Sequence, residues 1–332
     1  VTAIGIRCDA GALTGVGHLV RCVALAEELT SRGVDVHFLS DLGGVAWAES
    51  QLAQRGLAWH PAPYDEVGLV SAIRRLGLDA LVIDSYTLPP AHSKAVRASG
   101  TTVLAIVDGD PRGQDADIYV DQNLDAVLDV GDVRLAGLDY ALLRSAVRRL
   151  RPLAAPVSSS DRTPKIVAFF GGTDAYRAAP QVARLLADTA APFEATVVAA
   201  DASLRAELLA IPAGEGQRFE IIDPTDRLPE LLAGADLVVS ASGTSTWELL
   251  CLGRAAALVQ VVDNQIQGYE RTLARGYAAG IGRLGAFDDD AVTTLRRLLL
   301  KPGDRTALAV RGWAAVDGRG VERVADALLT GV

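Results

Sequence analysis

Short apolar runs alternate with helix-period patterns along most of this chain. Runs at 3–8 (AIGIRC), 34–39 (VDVHFL), 80–85 (ALVIDS), 102–108 (TVLAIVD) and 117–121 (DIYVD) read as strands. Between them, 18–32, 46–55, 65–77 and 89–99 carry the spacing of amphipathic helices. In the first of these, Leu19, Cys22, Val23, Leu25, Ala26 and Leu29 make one apolar stripe. The alternation breaks at 151–165, RPLAAPVSSSDRTPK, where three prolines and three serines interrupt the pattern. It then restarts, with strands expected at 165–170, 194–199, 218–222, 236–240 and 256–262. The accompanying helices are expected at 177–188, 202–210, 226–233, 245–252 and 264–275, followed by a helical tail at 288–300 and 305–330. Strand–helix alternation predicts parallel, doubly wound sheets. The expectation is an α/β protein of two similar halves with a cleft between them: 1–150, a linker at 151–164, and a second domain at 165–304.

Composition narrows the function classes. With 332 residues, half of them hydrophobic, the chain can build two ordinary cores. A net charge of −9 argues against non-specific nucleic-acid or anionic-membrane binding, which need a basic surface. Three cysteines (Cys8, Cys22 and Cys251), with no metal-type spacing, read as buried thiols in a reducing compartment. The first residues read as a strand rather than a signal peptide, and no apolar run is long enough to span a bilayer. A cytoplasmic protein without nucleic-acid or membrane partners is the expectation.

Ligands of such sheets bind at the carboxyl ends of strands. After the first strand, Gly11, Gly15 and Gly17 free the backbone for a turn, and a helix then begins at His18. Its unpaired amides and positive dipole end favour phosphate or a developing oxyanion. The rival reading is a glycine loop that serves only the turn. A dinucleotide fingerprint would need a third glycine where Val20 stands, which disfavours an NAD enzyme. A histidine at a helix N-terminus has its cation disfavoured, so His18 is expected neutral and ready to accept a proton. Asp9 and Asp41, also past strand ends, are the carboxylates placed to orient it.

Three loops of the second half carry the same logic. In FFGGTDA (169–175), Gly172 allows close backbone approach and Thr173 offers a hydroxyl, although Thr173 or Asp174 would equally cap the next helix. In DLVVSASGTSTWELL (236–250) a buried strand runs into Ser242, Gly243, Thr244, Ser245 and Thr246, a cradle of small residues before a helix. Glu248, one turn after Thr244, suits a ribose diol; its rival reading is a capping box with Ser245. Asn264 and Gln265, after the next strand, suit sugar hydroxyls, or Asp263 and Asn264 simply cap a helix.

Taken together, GVGHLVRCVALAEEL, VIDSY, VDQNLD, GLDYALLRSAV, FFGGTD and SASGTSTWELLCLG resemble, in this order, the UDP-sugar hydrolase of pseudaminic acid biosynthesis and its spore-coat-polysaccharide relatives. That group is itself similar to the bacterial glycosyltransferase that adds N-acetylglucosamine to lipid II precursors. The resemblance covers most of 1–275 and implies a GT-B fold of two Rossmann-like domains, with helices at 305–332 crossing back to the first. It implies that Thr244 to Thr246 contact phosphate, Glu248 the ribose, Asn264 and Gln265 the sugar, and the backbone near Ile222 the base. It places His18 and Tyr86 at the chemistry. One departure is Leu249, which stands where an arginine is expected.

The expected reaction is cleavage of the anomeric C–O bond of an NDP-sugar, most simply a UDP-sugar. His18 acts as base, and Tyr86 and Asp84 position substrate or acceptor. Transfer to a small acceptor, a nucleobase being one candidate, is preferred over hydrolysis. A non-catalytic nucleotide-sugar-binding protein is the reading from another class. If the donor carries a carboxylate, Arg144, Arg112 or Arg21 is its partner. No cofactor and no metal are expected, and Asp108-Gly109-Asp110, which resembles a metal loop, is the one sequence feature against that.

Overall fold

The computed structural model describes residues 2–11, 16–158 and 162–331. The chain divides into two compact units: Val1–Ser145 with Gly318–Val332, and Ala146–Asp317.

The first unit holds β1 (Ala3–Cys8), α1 (Gly17–Ser31), β2 (Asp35–Ser40), α2 (Ala46–Gln54), β3 (Ala58–Pro61), α3 (Glu66–Leu76), β4 (Ala80–Asp84), α4 (Pro90–Ala98), β5 (Thr102–Ile106), β6 (Ile118–Asp121) and β7 (Val133–Ala136), and α5 (Ser145–Arg149) begins at its border and runs into the second unit. The strands form one parallel sheet in the order β3-β2-β1-β4-β5-β6-β7. Strands β1 and β4 are buried along their whole length, as expected where helices cover both faces. One core joins α1 to Ile4, Ile6, Val82 and Leu104; the other packs Leu69, Ile73 and Val96 of α3 and α4 against Leu81, Ile83 and Val103. Strand order reverses between β1 and β4, so the loops that follow them lie side by side at the topological switch point.

The second unit repeats the plan with β8 (Lys165–Phe169), α6 (Ala178–Asp188), β9 (Phe193–Val198), α7 (Ala202–Leu209), β10 (Gln217–Ile222), α8 (Leu228–Gly234), β11 (Leu237–Ala241), α9 (Ser245–Cys251), β12 (Ala255–Gln260), α10 (Ile266–Ala274), β13 (Ala279–Arg283), α11 (Asp289–Leu300) and α12 (Pro302–Ala315). Its parallel sheet runs β10-β9-β8-β11-β12-β13, with the switch point between β8 and β11.

Three strands that the apolar pattern did not announce are β3, β7 and β13, and each is the edge of its sheet. Edge strands pair on one side only, so AWHP, VRLA and AGIGR carry mixed or glycine-broken patterns. The expected linker is also different. The chain leaves the first unit after Ser145, and Arg151 is already fixed in the second, donating to the carbonyls of Cys251, Trp313 and Val316. Ser158 N donates to Thr306 Oγ1, and 159–161 lie outside the described residues.

The helical tail expected at 305–332 divides between the two units. Helix α12 stays with the second unit, and α13 (Gly320–Thr330) belongs to the first, where Val321, Val324, Ala325 and Leu328 enter the α1 core. Gly320 permits that docking, because a Cβ there would stand 2.3 Å from the Ala141 carbonyl oxygen. Among the described residues no helix is long and apolar enough to cross a membrane.

Candidate active site

In the first unit the site is built where β1 and β4 end, with Cys8 and Asp84 paired in register. Helix α1 starts there with Gly17 and His18, has no side-chain cap and carries no acid in its first turn. Gly15 lies outside the described residues. His18 and Arg21 are three residues apart and share one helix face. Both meet Asp84.

The imidazole Nδ1 of His18 is 3.1 Å from Asp84 Oδ1 and 3.2 Å from the Asp84 carbonyl oxygen. Both partners are acceptors, so the neutral ring carries its hydrogen on Nδ1. That leaves a lone pair on Nε2, which has no partner among the described residues. Asp84 therefore does the orienting expected of Asp9 or Asp41. Those two are engaged elsewhere: Asp9 pairs with Arg7 and accepts from Asp41 N, and Asp41 accepts from Gly43 N.

The expected direction of the His18 pKa shift is also corrected. Burial disfavours the imidazolium, but the hydrogen bond and charge of Asp84 outweigh it, against the opposing charge of Arg21. The pKa of His18 lies above its ordinary 6.5. The helix-dipole argument failed because a full carboxylate charge in contact with the ring exceeds the half-charge of a helix end.

Asp84 has no exposed surface, so it touches the imidazole rather than a substrate. Arg21 holds it two-pronged, Nε to Oδ2 and Nη2 to Oδ1, both at 2.6 Å. The same guanidinium grips Asp108 through two contacts of 2.9 Å. Burial opposes ionisation of both carboxylates, yet the charge and hydrogen bonds of Arg21 keep both below the usual carboxylate range. Asp108 also accepts from the Tyr86 hydroxyl at 2.5 Å and from Asn123 Nδ2 at 2.8 Å. Asp121 closes the cluster, accepting from Gly109 N and Asn123 Nδ2. Asp108 is thus held by one guanidinium, a hydroxyl and an amide, and among the described residues no group of three or more His, Cys, Asp or Glu is arranged to hold a metal.

Tyr86 is 46% exposed and stands edge-on to His18, ring centroids 4.4 Å apart. Burial and the neighbouring Asp108 charge keep its phenol protonated well beyond its ordinary range. Arg112 lies over that ring, 4.2 Å from the centroid. Of the three arginines considered for an anionic substrate group, Arg21 is excluded, being 2% exposed and committed to two carboxylates.

In the second unit, the loops after β8 and β11 flank the switch point, Phe169 pairing with Ser240 in register. Gly172 is exposed, and Thr173 is half-buried. Asp174 is the cap: its carboxylate accepts from Ala178 N and Ala179 N at the start of α6. Ser242 N donates to Val259 O, and the Thr246 and Trp247 amides bond back to Gly243 and Thr244. The Thr244 and Ser245 amides have no acceptor among the described residues. The Ser245–Glu248 capping box does not form, since no side chain caps α9. Glu248 is buried in the first turn of α9.

In this turn and the strands that flank it four buried polar atoms have no partner: Ser240 Oγ, Thr246 Oγ1, Trp247 Nε1 and Gln260 Nε2. Ser240 pairs with Leu258, so Gln260, two residues on, shares its face of the sheet. Buried polar groups are nearly always paired, so a cluster of orphans at strand ends points to a ligand or trapped water. Past β12, Gln265 turns its Oε1 back to Val261 N and Val262 N, and its Nε2 lies 3.9 Å from where a Gly243 Cβ would stand. Asn264 is exposed. The Ile222 carbonyl, at the end of β10, accepts from Ala199 N.

Sequence reasoning missed Arg21 as the hub, Asp108 as its second carboxylate, and Asn123 and Gln260. The signals were present: an arginine inside an apolar stripe, three residues after His18, and a glutamine ending an otherwise apolar strand.

Two parallel-sheet α/β units of this topology define the class: the fold is the GT-B fold of glycosyltransferases. Among solved structures the chain is similar to MurG of Acinetobacter baumannii, at 16% identity and a TM-score of 0.76, covering 99% of this chain and 100% of that one. It is similar to the UDP-GlcNAc 2-epimerase of Neisseria meningitidis bound to UDP-GlcNAc, at 10% identity and a TM-score of 0.66, covering 99% and 100%. In sequence it is 24% identical to the spore coat polysaccharide biosynthesis protein SpsG of Bacillus subtilis (strain 168), over 97% of this chain and 96% of that protein. No family model matches the chain. The resemblance drawn from the motifs is therefore matched by a weak full-length similarity in sequence and a strong one in fold.

Proposed function

We propose that the protein is an NDP-sugar-dependent glycosyltransferase, with a UDP-sugar as donor, that breaks the anomeric C–O bond and passes the sugar to a small acceptor. The observation that carries the reading is the Asp84–His18 pair, which leaves Nε2 as the one ring nitrogen able to take a proton. As the acceptor attacks C1, its proton passes to Nε2 and the bonding pair of the C–O bond leaves with the nucleoside diphosphate. The imidazolium so formed is stabilised by ionised Asp84, as in a serine hydrolase triad. A ring nitrogen of a nucleobase-like heterocycle is an acceptor of suitable chemistry, since it must lose a proton to complete the bond.

In this reading the second unit holds the donor. Gly172, Thr173 and the Ser242-Gly243-Thr244-Ser245-Thr246 turn take the diphosphate through backbone amides and hydroxyls, the orphaned Thr246 Oγ1 among them. Glu248 takes the ribose, Asn264 and Gln265 the sugar, and the backbone at Ile222 the base. In the first unit Gly17 opens α1 beside His18, and Tyr86 stands edge-on to the imidazole. The proposal places no metal at Asp108, whose oxygens are taken by Arg21, Tyr86 and Asn123. The fold neighbour bound to UDP-GlcNAc supports the donor class.

The test is UDP release from a panel of UDP-sugars. Release that requires an added acceptor is the expected result. Release at enzymatic rates in buffer alone would replace transfer by hydrolysis with the same base. The cradle has its own test. Thr246→Val keeps shape and removes only the orphaned hydroxyl, so thermal stability without ligand should hold or rise slightly. UDP affinity by calorimetry should fall about tenfold or more, the weight of one hydrogen bond to a charged group. Unchanged affinity would remove Thr246 from the diphosphate site.

A further inference from the structure

Arg21 has no role in the reaction as proposed, and its placement is unusual. It sits on the buried side of α1 at 2% exposure, and four side-chain contacts of 2.6 to 2.9 Å tie it to Asp84 and Asp108. Those two carboxylates hold the two aromatic groups of the site. Asp84 fixes His18 through Nδ1, and Asp108 fixes Tyr86 through its hydroxyl. The rings themselves are in edge contact at 4.4 Å. The four groups come from α1, the end of β4 and the loops after β4 and β5, so nothing local in the chain sets their geometry.

We infer that Arg21 is the positioning residue of this site: through two forked ion pairs it sets the orientation of His18 and Tyr86 together. The inference rests on His18 being the base. A guanidinium is suited to this because its planar fork can present two parallel donor pairs, one to each carboxylate. A lysine keeps the charge but cannot hold both. Charge supports the arrangement as well as shape. Two carboxylates, one buried and one half-buried, beside one cation leave a net negative environment in which an imidazolium can form and give its proton back. The charged and titratable groups facing His18 are Asp84 from β4, Arg21 from its own helix, and Tyr86 from the loop after β4, with Asp108 behind that phenol and Arg112 over it.

The test reads the protein without any ligand. The chain has four histidines, so the His18 nitrogen resonances can be assigned by comparison with His18→Asn. Wild type is expected to show a single Nδ1–H tautomer. In Arg21→Lys, Asp84 loses its two-pronged partner and the ring should populate both tautomers. In Arg21→Gln, the imidazolium keeps Asp84 and loses the repulsion of the cation, so its titration midpoint should move up. Asp108→Asn keeps the Arg21–Asp84 fork and serves as the folded control. Its His18 tautomer should stay as in wild type while the Tyr86 phenol, followed by ultraviolet absorbance, titrates at lower pH. An unmoved His18 midpoint and a single Nδ1–H tautomer in both Arg21 variants would overturn the inference. Loss of the distinction between the Arg21 and Asp108 variants would overturn it too. Neither outcome depends on turnover; wild-type UDP release by His18→Asn would instead sink the proposed function.

Discussion

Asparagine at position 18 is expected to lower kcat about a thousandfold, the range lost when a general base is removed. The donor KM should change little, because the loops proposed to hold the ribose, the base and the sugar belong to the second unit and His18 to the first. Asparagine retains a polar group of similar reach to Nδ1, so the Asp84 contact has a substitute and the fold should survive. The wild-type pH profile gives the companion result. The base works as neutral imidazole, and Asp84 raises its pKa above the ordinary 6.5. Activity should therefore fall as pH drops through a midpoint above that value, and the variant should lack this limb. The stability effect has the opposite sign: the imidazolium favours the folded state below 6.5, and that contribution is lost as pH rises through the folded pKa. Turnover of His18→Asn within a fewfold of wild type would end the reading of this residue as base.

Asp84→Asn is expected to cost both stability and turnover. Removing one charge of a fully buried pair leaves Arg21 undercompensated, and such losses run to about 3–5 kcal/mol. Asp108 remains beside Arg21, which places this variant toward the lower end. Thermal or urea unfolding reads the effect. The kinetic cost has a separate cause. An asparagine can turn its NH2 toward Nδ1, which favours hydrogen on Nε2 and abolishes the lone pair that takes the proton. The analogous exchange in a serine protease costs about 10⁴ in kcat, and a loss of similar order to that of His18→Asn is expected here. If Asp84→Asn loses stability but keeps turnover, the carboxylate is an element of the core and not of the chemistry.

His18 illustrates how far the pattern of the chain reaches. A glycine-spaced loop entering a helix after a buried strand announced its place, and its role as a base candidate. The direction of its pKa shift was misjudged, because the carboxylate that sets it lies 66 residues away. The same holds for Asp108. In sequence it is half of a metal-like Asp-Gly-Asp; in the structure an arginine 87 residues distant, a tyrosine and an asparagine occupy its oxygens. The capping-box reading of Ser245 and Glu248 failed similarly, since the spacing was present and the hydrogen bonds were not. For Asp174 the modest reading was right, and it caps α6.

What the sequence by itself determined is the class of fold: the central strands, the helices between them, and the strand-end loops that carry the candidate site. These follow from periodicity, because a strand buried on both faces must be apolar throughout and a covering helix must be apolar on one side. Tertiary structure alone decided the edge strands β3, β7 and β13, the point at which the tail divides between the two units, and the pairing of the ionisable groups around His18. Edge strands lack a second neighbour to impose a pattern. The last helix is placed by a shape match at Gly320. Ion pairs form between groups that only a finished sheet brings within 3 Å, where charge and desolvation are both at their strongest.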